Sequence, residues 1–282
     1  MPTFILTMSC PDQKGLVAAT SNALVDLDAN ILQNDQFSDP ATATFCMRTR
    51  FEAPLFEADE VKAALSPTAA RLDGRLQVRR EDHKRRAMLL VSKYDHCLVD
   101  LLYRRGTGEL PVDIPIIVSN HPDLRDTVSR HDIAFEHVPV TRESKAVAET
   151  RVLDLVNKHR VDFVVLARYM QILSNDFCAK MAGNVINIHH SFLPGFKGAK
   201  PYHQAWERGV KLIGATAHYV TADLDEGPII DQDVASVSHR DTAEQMVTQG
   251  RDIERRVLAR AVKAHAEDRI FMLDNARTVV FD

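Results

Sequence analysis

Val161-Asp162-Phe163-Val164-Val165-Leu166-Ala167 is a short, almost continuously apolar run rich in β-branched residues. Runs of this kind fit strands of a parallel sheet that is covered on both faces. Two more lie upstream, Ala87-Met88-Leu89-Leu90-Val91 and Ile114-Pro115-Ile116-Ile117-Val118. Ahead of the first run, the segment from Glu143 to His159 carries Ala148, Val152, Leu155 and Val156 at helical spacing. Strands alternating with helices predict an open, mostly parallel, Rossmann-like α/β sheet. Ligands of such sheets bind beyond the carboxyl ends of the strands.

Upstream of Ala87 the pattern changes. Gln77-Val78-Arg79-Arg80-Glu81-Asp82-His83-Lys84-Arg85-Arg86 mixes both charge signs, which marks a solvated link better than a nucleic-acid surface. It divides the chain into residues 1–80, a linker over 81–86 and a second domain over 87–282. In the first domain, Thr3 to Ser9 reads as a strand and Asp12 to Gly15 as a turn. Leu16 to Leu27 reads as a helix with Val17, Thr20, Leu24 and Leu27 on one face. Strands from Asn30 and over Thr42 to Phe51, a helix around Glu57 to Leu65 and a strand near Arg75 to Val78 complete a ferredoxin-like βαββαβ unit.

Composition narrows the function. The 282 residues suffice for two domains at roughly 100–200 residues each. A formal net charge of −4 disfavours a nucleic-acid partner. Cys10, Cys46, Cys97 and Cys178 form no C-x-x-C pair, which suits a reducing cytosol. No stretch approaches 18 apolar residues and the N-terminus has no basic leader, so a cytoplasmic protein is expected.

Two later stretches carry chemistry. Val185-Ile186-Asn187-Ile188-His189-His190-Ser191-Phe192-Leu193-Pro194-Gly195-Phe196-Lys197-Gly198 is an apolar strand running into a Pro- and Gly-containing loop. Strand periodicity puts Asn187 and His189 on one face and turns His190 away. Ala217-His218-Tyr219-Val220-Thr221-Ala222-Asp223-Leu224-Asp225-Glu226-Gly227-Pro228 is a second strand ending in a carboxylate-bearing turn. All three groups are expected at carboxyl ends of strands. An amide, an imidazole and a carboxylate suffice for acyl chemistry: Asp225 as base, its pKa raised by partial burial, and His189 with Asn187 holding an oxyanion. Taken alone, the same residues also serve as turn formers and carbonyl partners. No G-x-S-x-G elbow and no H-x-x-x-H or H-E-x-x-H pair is present, so neither a serine nucleophile nor a metal cofactor is expected.

The run from Asn187 to Gly198 resembles the signature of the folate-dependent formyltransferase family. His218 to Pro228 is similar to that family's second signature, and Leu166 to Ser174 to its folate-binding loop. The resemblance covers about Arg86 to the C-terminus. It implies a 10-formyltetrahydrofolate substrate, the catalytic set Asn187, His189 and Asp225, and folate contacts at Met170, Gln171, Ile172, Leu173 and Leu224. Where nucleotide-using relatives carry a Gly-rich phosphate loop, this chain has Val91-Ser92-Lys93-Tyr94-Asp95-His96-Cys97-Leu98, without Gly and with an added carboxylate. That departure points to water as nucleophile, hence to the deformylating branch: formate and tetrahydrofolate as products, and formate for purine biosynthesis. Cys10 to Val17 with Asp28 to Leu32 resembles an ACT domain. That implies a homo-oligomer, dimer or tetramer, and an amino-acid effector, glycine or methionine, at Asp12, Gly15, Leu16, Asn30 and Ile31. Two alternatives stay open: transfer to another acceptor, such as a sugar amine or initiator tRNA, and a sensor whose catalytic half has decayed.

Overall fold

In the computed structural model of the chain, residues 1–54, 57–195, 201–273 and 277–282 are described. Phe196, Lys197 and Gly198 of the first signature lie outside them. The structure divides into two compact units. The first contains β1 (Thr3–Pro11), α1 (Leu16–Val25), β2 (Asn30–Asp39), β3 (Thr44–Glu52), α2 (Ala58–Arg71) and β4 (Arg75–Arg80). Its antiparallel sheet has the order β2-β3-β1-β4, and Phe4, Leu6, Met8, Met47, Phe51, Val61 and Leu65 form its core. The helical face of α1 is Leu16, Thr20 and Leu24, with Val17 about one-third exposed. Thr20 and Leu24 are thus buried as expected and Leu27 packs against the core, but the stripe begins at Leu16 and not at Val17. α2 runs through Pro67 to Arg71, beyond the expected Leu65.

The second unit follows at once, since β5 (Arg85–Val91) begins inside the segment expected to link the domains. Then come α3 (His96–Gly106), β6 (Val112–Ser119), α4 (Arg125–Ser129), β7 (Ala134–His137), α5 (Lys145–Lys158) and β8 (Phe163–Leu166). The unit ends with α6 (Asn175–Lys180), β9 (Val185–His189), α7 (Pro201–Glu207), β10 (Leu212–Tyr219), β11 (Ile229–Ser236) and α8 (Ala243–Ala266). The hairpin of β12 (Ile270–Met272) and β13 (Thr278–Val280) groups with the first unit, although the sequence boundary assigned everything to residue 282 to the second. Asp268, just before β12, pairs with Arg79 of β4 at 2.7 Å, which accounts for that grouping.

The large sheet has the order β11-β10-β9-β8-β5-β6-β7. β7, β6, β5, β8 and β9 are mutually parallel, while β10 runs antiparallel to both β9 and β11. Phe163, Val164, Val165 and Leu166 are all buried, as a doubly covered strand requires. Ala148, Val152, Leu155 and Val156 of α5 pack on Met88, Leu90, Ile116 and Val118. At the other end, α8 is fixed by a capping box in which Gln245 N–H donates to Thr242 Oγ1 and Thr242 N–H to Gln245 Oε1. Among the described residues no helix is long and apolar enough to cross a membrane.

Candidate active site

Asn187 and His189 occupy alternate positions of β9 and face the same cleft. Asp225 does not sit at a parallel strand end. β10 is antiparallel, so its end at Tyr219 is level with Ile186, and the chain must fold back to bring Asp225 to His189. The loop is pinched at its base, where Tyr219 N–H donates to the Pro228 carbonyl at 2.9 Å. Gly227 makes that closure possible, because a Cβ there would stand 1.7 Å from the Tyr219 carbonyl oxygen. Asp225 itself adopts a left-handed φ of 57°, which an Asp side chain tolerates better than most.

The three groups converge. His189 Nδ1 lies 3.3 Å from Asp225 Oδ1, and both side chains are largely buried. A fourth residue joins them, which the sequence alone did not single out. His218 stands directly opposite Asn187 in the β9–β10 register, with Nε2 3.1 Å from Asn187 Nδ2 and 3.8 Å from Asp225 Oδ1. The β10–β11 register shifts at this point, with Ala217 opposite Asp231 and His218 opposite Ile229. The signal was the antiparallel pairing of the two quoted stretches, which no periodicity within either one reveals. His190 also lines the cleft, contrary to strand alternation, because β9 ends at His189.

The electrostatics differ from expectation at Asp225. Burial raises its pKa, but the hydrogen bond and charge of His189, with His218 and His190, outweigh it and leave the pKa below the ordinary value. Asp225 is thus an anion across the neutral range, with the His189 hydrogen bond as the largest influence that lowers its pKa. Burial lowers the pKa of His218. His190 is pushed down to about 3, by burial first and then by the Arg168 charge.

The cleft has a volume of about 280 Å³ and includes Met170, Gln171, Ile172, Leu173 and Leu224 together with the convergent polar groups. Its floor is tied to neighbouring strands: Met170 N–H donates to Ser92 Oγ at 2.9 Å, and Ser92 Oγ–H to Asn120 Oδ1 at 2.6 Å. Apolar Met170, Ile172 and Leu224 are each more than half exposed at its rim, an arrangement that favours a flat apolar ligand. In the first unit, Asp12, Gly15, Asn30 and Ile31 are exposed, whereas the Leu16 side chain is in the core. Gly15 has φ 89° with open space around it, so backbone conformation rather than crowding calls for glycine.

Among the described residues, one further group could hold a cation: ligand atoms of His96, Cys97 and Glu254 lie within 4.8 Å of one another. The guanidinium of Arg168 stands 3.4 Å from the same Glu254 carboxylate and would repel a metal.

A family profile described as formyl transferase matches residues 85–262. The formyltetrahydrofolate deformylase of Synechocystis sp. is 49% identical over 281 residues, covering 99% of this chain and 98% of its own. The chain belongs to the formyltetrahydrofolate deformylase family. Among solved structures, the deformylase of Pseudomonas syringae pv. tomato is 50% identical with a TM-score of 0.97, covering 100% of this chain and 95% of that one. Glycinamide ribonucleotide transformylase 1 of Symbiobacterium toebii is 28% identical with a TM-score of 0.67. It covers 72% of this chain and 97% of its own, so the similarity to that transformylase leaves over a quarter of this deformylase-family chain unmatched.

Proposed function

We propose that the chain hydrolyses 10-formyltetrahydrofolate to formate and tetrahydrofolate. The observation that carries this reading is the convergence of Asn187, His189 and Asp225, bridged by His218, beside an apolar-rimmed cleft. Water attacks the formyl carbon and Asp225 takes its proton. His189 and the Asn187 amide hold the oxyanion, and N10 leaves with a proton delivered through His189. A low carboxylate pKa makes Asp225 a weak base in the open cleft. Substrate covering the cleft would strip water from it and strengthen it.

The pterin lies against Met170, Gln171, Ile172, Leu173 and Leu224. No metal or other cofactor takes part. The reaction runs in the cytoplasm, and the formate supplies purine biosynthesis while tetrahydrofolate returns to the one-carbon pool. The first unit is an ACT module whose βαββαβ order supports pairing with a second copy, and its exposed Asp12, Gly15, Asn30 and Ile31 receive glycine or methionine. Incubating the full chain with 10-formyltetrahydrofolate, without an acceptor, tests the core claim. Formate and tetrahydrofolate in equal amounts support hydrolysis, and dependence on an added amine would sink it. Calorimetric titration with each amino acid tests the effector.

A further inference from the structure

The large sheet reverses its winding between β5 and β8. The chain runs outward from β5 to β6 and β7, then returns to lay β8 on the other side of β5. Loops leaving β5 and β8 therefore diverge, and open α/β sheets place ligands in the crevice so formed. In this chain the crevice holds protein side chains. Resting on the hydrolytic reading above, we propose that Arg168 and Glu254 form a plug that closes the crevice to nucleophiles larger than water. The pair is thereby specificity-determining for hydrolysis over transfer to an amine.

The plug is built from several directions. Arg168, two residues beyond β8, holds a left-handed φ of 65°, a conformation in which glycine would be unstrained. Its guanidinium carbon is 5.4 Å from the ring centroid of Tyr94, in the loop after β5. Its Nε is 3.4 Å from Glu254 Oε2, buried and without a hydrogen-bond partner. Glu254 on α8 is 1% exposed, with His96 Nε2 at 2.8 Å from one carboxylate oxygen and Tyr202 O–H donating to the other at 3.0 Å. Gly250, one turn earlier on α8, leaves room for Tyr202, since a Cβ there would be 2.1 Å from its ring. A guanidinium, an imidazole and a phenol around one carboxylate make a donor set fit for a ligand's anionic group. Here an internal side chain occupies it. His190 joins plug and reaction site, with its ring 5.3 Å from that of His189 and 6.3 Å from that of Tyr202.

Removing the guanidinium leaves the buried Glu254 carboxylate unpaired, so the opened crevice should admit an amine that carries a second cation. Its nitrogen would then bond to the formyl carbon and the C–N10 bond would break. The amine proton would pass to Asp225 and N10 would take one through His189, leaving an N-formyl amine. The probe is 1,2-diaminoethane, whose second ammonium can take the guanidinium's place beside Glu254, offered with 10-formyltetrahydrofolate to wild type, Arg168→Gly and Arg168→Lys. Arg168→Gly relieves the left-handed strain, while Arg168→Lys keeps charge and stem. Wild type and Arg168→Lys should yield formate alone. Arg168→Gly should form N-formyl product at a level at least roughly tenfold above the detection limit set by wild type, and should bind the probe calorimetrically. Should Arg168→Gly fail to fold, Arg168→Ala, which removes the same guanidinium, carries the same two readouts. A folded variant with wild-type partition and no probe binding overturns the plug, as does wild type that formylates the probe. If wild type releases no formate, the hydrolytic reading fails, while probe binding still decides the plug.

Discussion

His218 and Asn187 face each other across the β9–β10 pair, and the chemistry of the ring fixes which end of the amide points where. His218 Nδ1 lies 2.9 Å from the Tyr219 carbonyl, which can only accept, so Nδ1 carries the proton. Nε2 of the neutral ring can then only accept, and the Asn187 group 3.1 Å away must be its NH2. One amide hydrogen is held by His218, and planarity aims the other. Asn187→Ala should lower kcat about 10²- to 10³-fold, as loss of an oxyanion donor does. His218→Phe, which fills the same space, should cost roughly tenfold in kcat with KM for the formylated folate nearly constant. Steady-state formate release measures both, and an unaltered kcat in folded His218→Phe would reduce the pairing to packing.

Asp225→Asn should lower kcat about 10²- to 10⁴-fold, the range for loss of a general base. The pH profile is the sharper test. Imidazoles hold the Asp225 pKa below its ordinary value, so no acid limb of kcat/KM above about pH 4 should vanish in the variant. A limb near neutrality that disappears with Asp225→Asn would restore the raised pKa expected from burial alone.

That reversal shows what the sequence could and could not carry. The apolar runs around Phe163 and Leu89 announced a doubly covered parallel sheet, and the structure buries them so. Asn187 and His189 were legible because strand period alone puts them on one face. His218 was not, since its role depends on the register of β10 against β9, a relation between segments. The sign of the Asp225 shift failed for the same reason: desolvation is suggested by local apolar neighbours, but the opposing imidazoles come from β9 and β10. Arg168 fell within the Leu166 to Ser174 stretch, but nothing there pointed to its pairing, because its partner Glu254 lies far along the chain in an otherwise ordinary amphipathic helix.

Acid should destabilise the second unit well above the carboxylate range. His190 is neutral in the fold down to about 3, whereas the unfolded chain protonates it near 6.5. Between those values the unfolded state binds the extra proton, so stability falls as pH falls, by up to about 1.4 kcal/mol per pH unit. His218 acts in the same direction. Thermal unfolding followed from pH 8 to 4.5 should show Tm declining below about pH 6.5, with a shallower decline in His190→Gln. Identical slopes in the two proteins would locate the effect elsewhere.

Gly227→Ala should disable the site through the backbone. Its added methyl would meet the Tyr219 carbonyl oxygen at 1.7 Å, and that carbonyl is held in place at 2.9 Å by His218 Nδ1. The turn must open, taking Asp225 with it. We expect a stability loss of about 1–3 kcal/mol from overpacking and a kcat loss exceeding tenfold, in line with the cost of misplacing a reacting group. Denaturant unfolding gives the first and formate release the second. Full activity with unperturbed stability would mean the loop closes by another path.

The apolar rim makes a separable claim, because it concerns binding and not chemistry. Ile172 and Leu224 are 60% and 55% exposed beside the cleft, a poor place for branched side chains unless a ligand covers them. Their hydrocarbon side chains cannot hydrogen-bond to the polar groups of the site, so truncation should leave the transition state's extra interactions intact. Ile172→Ala and Leu224→Ala should each forfeit roughly 1–2 kcal/mol of apolar burial against the ligand. That converts to a KM about 5- to 30-fold higher at nearly constant kcat, the mark of binding lost equally from ground and transition states. Since both positions lie on loops and not in the core, the variants should unfold within about 0.5 kcal/mol of wild type. A fall in kcat without a change in KM would place these side chains in the chemistry instead, with the loop before Asp225 as the element they hold.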